Sequence, residues 1–270
     1  MGKGKDKAWA GVIDFPLPGR NQKPRENGLT MVIDKGLGLD ATNDLLKLTG
    51  DYIDFLKLGF GTSAFYSEKI LKKKIELAKD FQVDIYPGGT FLEVAVIQKK
   101  IDQYLDRAKE LGFTAIEVSD GTISLGLEER AEIIKKAIKA GFKVLTEVGK
   151  KDPNEEIAKQ QTLEQIQRDL EEGAWKVILE GRETGTGIGI YDKSGAIRKD
   201  DFQELVDGLK DIDQIIWEAP LKGQQQELII QFGSNVNLGN IQAADILALE
   251  ALRVGLRGDT LKITLQEKND

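Results

Sequence analysis

Carboxylates, lysines and an arginine stand at the ends of short apolar runs along the whole chain. "LTMVID" ends in Asp34 and is followed by Lys35, while "YIDFLKLG" carries Lys57 into the glycine-rich "GFGTSA". "VDIYPGG" closes on Gly88 and Gly89 with Glu93 beyond, and "AIEVSDG" ends in Glu117, Ser119 and Asp120. "KVLTEVG" holds Glu147 and leads to Lys150 and Lys151, and "KVILEGRE" holds Glu180, Arg182 and Glu183. "QIIWEAP" holds Glu218, and "NVNLGNI" holds Asn235 and Asn237. A single charge after such a run is usually a loop residue. Eight charged ends become a site if the fold draws them together.

The chemistry open to these residues is narrow. The sequence contains no histidine and no cysteine, which excludes a thiol nucleophile, an imidazole base, a Cys/His zinc site and a disulfide framework. Proton transfer falls to carboxylates, amines and hydroxyls. Carboxylate oxygens without nitrogen or sulfur ligands suit a hard cation such as Mg²⁺. The lysines suit a phosphorylated or carboxylated substrate, with Arg182 available for bidentate contact. Glycines in "GFGTS", "PGGT" and "GTGIG" let backbone N–H groups approach anionic oxygens. Glu117, Glu147, Glu180, Lys57 and Arg182 would equally serve as a structural ion-pair network, because a buried carboxylate needs a cation beside it.

The elements that must position these residues are legible from periodicity. The apolar runs are strand-like, and segments of helical period separate them. "SEKILKKKIELAKDF" predicts a helix with Ile70, Ile75 and Leu77 inward, and "LEERAEIIKKAIKAGF" one with Leu127, Ile133, Ile134 and Ile138 inward, capped by Gly141. "TLEQIQRDLEEGA" predicts a helix capped by Thr162 and closed at Gly173. "LKGQQQELIIQFG" and "IQAADILALEALRVG" are two more. Alternating strands and helices predict a parallel sheet with right-handed crossovers. Eight units predict an α/β fold, a (β/α)8 TIM barrel over residues 29–270, preceded by an irregular Gly/Pro/Lys/Arg-rich arm over residues 1–28. An open doubly wound sheet would want G-x-G-x-x-G after its first strand; "DKGLGLD" lacks it, and "GTGIG" meets Ile190 where the last glycine belongs. Closure of a barrel brings the C-terminal strand ends to one mouth. Residues two apart share a strand face, so Glu117 with Ser119 and Glu180 with Arg182 would point together. Composition and pattern together predict a Mg²⁺-dependent barrel enzyme acting on a small phosphorylated or carboxylated compound.

Lys and Arg total 38 and Asp and Glu 45 among the 270 residues, for a net charge of −7. An acidic chain without basic blocks argues against nucleic acid or an anionic membrane as partner. "MGKGKDKAWAG" carries charge with no apolar run behind it, unlike a signal peptide, and no window approaches the roughly 18 apolar residues of a membrane span. The expected location is the cytoplasm. Barrels commonly pack helix faces against copies of themselves, so a homo-oligomer is expected.

The strand-end segments resemble the phosphosulfolactate synthases of coenzyme M and sulfolactate biosynthesis. The resemblance lies in "DKGLG", "GDYIDFLKLGFGTSA", "YPGGT", "EVSDG", "LTEVGKK", "ILEGRE" with the following "GIG", "EAP", "NLGNI" and "LRVGLRGDT", spread over residues 29 to 262. It implies a (β/α)8 enzyme that adds sulfite to phosphoenolpyruvate to give (2R)-phosphosulfolactate, with Mg²⁺ as cofactor. It implies Lys151 as the proton donor, its pKa lowered by nearby cations, with Lys150 and Arg182 beside it. Glu117, Glu147 and Glu180 are the expected metal ligands, with Asp34 and Asp120 in reserve. Lys35, Lys57, Arg257, Gly88, Gly89 and Asn237 are the expected substrate-binding residues. Two other readings stay open: a related enzyme using another nucleophile on an enolpyruvate-like anion, and a non-catalytic stress or binding relative.

Overall fold

Each of the eight β-branched runs forms a strand in the computed structural model, which describes residues 7–152 and 158–266 (backbone only over 263–266). The strands are β1 (Thr30–Asp34), β2 (Phe55–Leu58), β3 (Asp84–Pro87), β4 (Ala115–Val118), β5 (Lys143–Val148), β6 (Lys176–Leu179), β7 (Ile215–Glu218) and β8 (Leu238–Gln242). Between them run α1 (Leu39–Thr49), α2 (Glu68–Asp80), α3 (Gly89–Ile97), α4 (Ile101–Leu111), α5 (Leu127–Lys139), α6 (Lys159–Glu171), α7 (Lys199–Gly208) and α8 (Lys222–Phe232). Helices α9 (Ile246–Arg253) and α10 (Gly258–Gln266) follow the last strand.

The strands pair in the order β3-β2-β1-β8-β7-β6-β5-β4, every pair parallel. This is the (β/α)8 barrel, nearly closed. Its seam lies between β3 and β4, which share no ladder. Thr114 bridges them at the base: its N–H donates to the Ile85 carbonyl over 3.2 Å, and its Oγ1 accepts from the Ile85 N–H over 2.9 Å.

Side-chain alternation sorts the barrel interior into layers. Met31, Phe55, Tyr86, Ala115, Leu145, Ile178 and Ile216 form an apolar inner cluster. Two residues further along their strands, Lys57, Glu117, Glu147, Glu180 and Glu218 point the same way, one layer nearer the mouth, and all are buried. The outward-facing residues, among them Val32, Leu56, Ile116, Val144, Val177 and Trp217, join the helix faces in the larger core.

Helix burial departs from the expected stripes at two places. Ile70, Leu127 and Ile138 are exposed. Helix α2 instead buries Leu71, Lys74, Ile75 and Ala78, and α5 buries Arg130, Ala131, Ile133, Ile134 and Ala137. Each inward face carries a long cation with a buried acid waiting for it, Asp34 for Lys74 and Asp169 for Arg130. A pattern search that counts only apolar residues rotates both faces. Thr162 does not cap α6: the cap position is Ala158, and Thr162 lies a turn inside, its hydroxyl donating to the Ala158 carbonyl. Gly141 and Gly173 do end α5 and α6 in left-handed conformations.

The described part of the arm lies across the N-terminal face of the barrel. Lys23 donates to the carbonyls of Gly50, Ile53 and Phe81, Arg25 holds Asp54 at 2.9 Å, and Arg20 holds Glu250 at 2.9 Å. Among the described residues, no helix is long and apolar enough to cross a membrane.

Candidate active site

The charged layer of the barrel surrounds two ammonium groups. Lys57 on β2 points inward and upward, and its Nζ lies 3.0 Å from Glu117 Oε2, 2.9 Å from Glu147 Oε2 and 3.2 Å from Glu218 Oε1. Lys151 enters from the loop after β5. Its Nζ lies 3.0 Å from Glu147 Oε1 and 2.9 Å from Thr90 Oγ1, with Glu180 Oε2 and Glu93 Oε1 each at 3.8 Å. Five carboxylates therefore share two lysines, and Lys151, about a quarter exposed along its side chain, is the one that reaches the mouth.

Backbone groups hold the acids in place. The Gly89 N–H at the start of α3 donates to Glu117 Oε1 over 2.6 Å, across the seam. The Gly181 N–H donates to Glu218 Oε2 over 3.0 Å, and the Arg182 N–H to Glu180 Oε1 over 2.7 Å. Arg182 adopts φ 58, a left-handed conformation costly for a side-chain-bearing residue. That turn brings its guanidinium to the Lys151 carbonyl at 3.3 Å. Glu93 from α3 accepts from the Ser119 hydroxyl over 2.5 Å and from the Thr122 N–H over 2.9 Å. Gly121 leaves room for the Lys151 stem, since a Cβ there would sit 3.1 Å from its Cγ.

The electrostatics follow from crowding. Burial, reinforced by Glu147 and Glu218, pushes Glu117 up to about 7 despite the Lys57 and Lys151 ammonium groups. Glu180 is also raised well above the usual carboxylate range, by burial and then by Glu147 and Glu218. Glu147 is itself buried, but it touches both lysines and is held low. Burial would lower Lys57 and Lys151, yet the surrounding carboxylates outweigh it and raise both. This corrects the expectation of a lysine acid lowered by neighbouring cations: the neighbours of Lys151 are mainly anions.

Several expected site residues lie at the mouth but outside the carboxylate–lysine cluster. Lys150 turns from the cluster and donates to the carbonyls of Asp120 and Ile123 over 2.7 and 2.6 Å, fastening the loop after β4. Asp120 pairs with Arg130 at 2.8 Å, and Arg130 also holds Asp169 and the Glu147 carbonyl. Gly88 and Gly89 open α3, with the Gly88 N–H on the Leu58 carbonyl. Lys35 stands exposed on the rim, 5.9 Å over the Phe60 ring.

Three others fall outside the cluster. Asp34 points away from it to the buried Lys74, and its other oxygen accepts from the Gly36 and Leu37 N–H groups at 2.8 Å each. Asn237 precedes β8 rather than ending it, so it sits at the base of the barrel. There it accepts from the Leu29 N–H over 3.0 Å and donates to the Asp213 and Ile215 carbonyls. Arg257 faces Asp259 at 3.8 Å, and its carbonyl starts α10 by accepting from the Thr260 and Leu261 N–H groups.

Glu147, Glu180 and Glu218 each offer an oxygen, and these oxygens lie within 4.8 Å of one another. Glu180 Oε2 is buried with no hydrogen bond in reach. A buried carboxylate oxygen without a donor, beside two more carboxylates, is a set that a hard divalent cation completes. The converging triad contains Glu218, where the sequence suggested Glu117. The signal for Glu218 was its spacing, two residues beyond the inward Ile216. Thr90 and Arg130 gave no sequence signal. A cavity of about 770 Å³ opens beside Glu180 and Glu218, walled by Val148, Leu179, Tyr191 and Trp217 and edged by Lys150 and Arg198.

The sequence pattern described as (2R)-phospho-3-sulfolactate synthase (ComA) matches residues 18–259, and so reaches into the arm. The chain is 46% identical over 252 residues to the phosphosulfolactate synthase of Methanothermobacter thermautotrophicus, covering 93% of this chain and 97% of that protein. It is 48% identical over 239 residues to that of Methanocaldococcus jannaschii, covering 87% and 94%. With the Bacillus subtilis phosphosulfolactate synthase the identity is 42% over 252 residues, covering 92% and 98%. Among solved structures, a phosphonopyruvate hydrolase superposes with a TM-score of 0.54 at 18% identity, over 84% of this chain and 80% of that one. The 3-hexulose-6-phosphate synthase of Salmonella typhimurium gives 0.54 at 12% identity, over 88% and 99%. At such identities these two speak for the fold alone.

Proposed function

The chain belongs to the (2R)-phospho-3-sulfolactate synthase family, and from that premise we propose that it joins sulfite to phosphoenolpyruvate in a Mg²⁺-dependent addition. The observation that carries the reading is the position of Lys151: a lysine at the mouth, 3.0 Å from Glu147 and 3.8 Å from Glu180.

In the reaction the sulfite lone pair forms a C–S bond to the methylene carbon of phosphoenolpyruvate. The C=C pair moves towards the carboxylate, giving an enediolate, and a proton delivered to the neighbouring carbon completes (2R)-phosphosulfolactate. Glu147, Glu180 and Glu218 would hold the Mg²⁺. When bound, that ion supplies positive charge for the substrate carboxylate as it gains electron density.

The chain's own residues account for the proton. Glu147 and Glu180 keep Lys151 protonated at neutral pH, so the donor is loaded before substrate arrives. An enediolate carbon is a far stronger base than an amine, so an ammonium made less acidic than usual by its carboxylate neighbours still serves. Thr90 and Glu147 aim the Nζ, and the Arg182 guanidinium on the Lys151 carbonyl fixes the turn that carries it. Lys35, exposed on the rim, offers positive charge to the approaching anions.

Incubation with phosphoenolpyruvate and sulfite, followed by ³¹P NMR, tests the reading. Phosphosulfolactate should form when Mg²⁺ is present and not when it is chelated. Absence of product with Mg²⁺ would overturn the proposal, and turnover with a different nucleophile would redirect it.

A further inference from the structure

Lys57 was expected to bind substrate, but the geometry points to another task. An ammonium group has three N–H donors. Lys57 donates to Glu147 of β5 at 2.9 Å and to Glu218 of β7 at 3.2 Å, and its Nζ pairs electrostatically with Glu117 of β4 at 3.0 Å. The side chain is 9% exposed, and each of these acids is essentially buried. The ammonium is thus enclosed by three carboxylates rather than presented to the mouth. Two of the three acids, Glu147 and Glu218, also belong to the triad whose oxygens lie within 4.8 Å of one another. The third member, Glu180, has no contact with Lys57 and keeps a buried oxygen without a hydrogen bond.

We infer that Lys57 is a positioning residue acting as a built-in cation. It occupies one cation position in the carboxylate layer, as Lys151 does another, and leaves the place where Glu147, Glu180 and Glu218 converge for a divalent ion. The acids of β4, β5 and β7 are then held at a spacing suited to one metal before any metal arrives. A site of five carboxylates and one lysine would have the charge and the oxygen count to take a second ion. This inference rests on the reading above that Glu147, Glu180 and Glu218 hold one divalent cation.

The test uses Mn²⁺ alone as a spin-active probe, titrated into the full chain without substrate and counted by EPR. The unaltered protein should bind one Mn²⁺, and Glu180→Gln none. If the unaltered protein binds no Mn²⁺, the metal reading itself fails, which is a different result from failure of the role given to Lys57. Lys57→Met should bind two ions per chain; one ion, held as tightly as before, would overturn the inference. Lys57→Met with Glu117→Gln removes the ammonium and one of its acids together, and should fold and return to one ion. Should Lys57→Met alone fail to fold, this double variant decides: one ion supports the built-in cation, and two ions or an unfolded chain refute it.

Discussion

The backbone N–H of Gly89 and the Oε1 of Glu117 meet at 2.6 Å across the one pair of neighbouring strands that shares no ladder. The charged layer thus also closes the barrel. A Cβ at Gly89 would lie 2.4 Å from Ser119 Oγ and 2.7 Å from Glu117 Oε1. Gly89→Ala should therefore cost about 1–3 kcal/mol through overpacking, measured by urea denaturation. Unchanged stability would show that the seam yields freely.

Lys151→Ala should leave the far-UV spectrum and cooperative unfolding in place and lower kcat by about 10²–10⁴-fold, the usual worth of a positioned acid. Binding of phosphoenolpyruvate, followed by calorimetry, should persist. A variant that turns over at the original rate would remove Lys151 from the chemistry.

Stability should change with pH in an unusual direction between about 4.3, the ordinary carboxylate value, and 7. Glu117 is raised in the folded state to about 7 by burial and by its acidic neighbours. In that window the folded chain binds more protons than the unfolded one, so stability falls as pH rises. Metal-free protein should be more stable near pH 5.5 than near pH 8 by roughly 1–3 kcal/mol. Glu117→Gln should flatten the slope. Glu147 has the opposite sign: held low by the two lysines against its own burial, it contributes stability that is lost only as pH falls below the ordinary carboxylate range. Urea midpoints at several pH values would settle both signs.

Mg²⁺ should raise the melting temperature in proportion to the logarithm of its concentration, by about 2.7 kcal/mol of stabilisation at a hundred times the dissociation constant. Glu180→Gln should abolish the shift, because Glu180 brings a buried oxygen that accepts no hydrogen bond. An equal shift in that variant would place the ion elsewhere.

Asn237→Ala should act on stability and not on catalysis. The side chain makes three hydrogen bonds at the base of the barrel, joining β1, β7 and the start of β8. Losing them should cost about 1–3 kcal/mol, while KM for phosphoenolpyruvate stays unchanged. A raised KM would return Asn237 to the substrate site.

By itself the sequence determined the strands, their parallel alternation with helices and the chemical inventory of the site. Those properties are local or compositional: β-branched runs between helical stretches, and the absence of histidine and cysteine. Alternation also carried the inward direction, since Glu117, Glu147, Glu180 and Glu218 each lie two residues beyond a buried inward residue. Only the tertiary structure decided which charges answer which. Lys57 and Glu218 are 161 residues apart in the chain, and nothing local tells that the lysine will sit among three acids. Asp34 went to Lys74 because a helix face expected to bury Ile70, Ile75 and Leu77 instead buries that cation with Ile75. Asn237 moved from mouth to base because β8 begins one residue after it, and in a strand a boundary shifted by a few residues exchanges the two ends of the barrel.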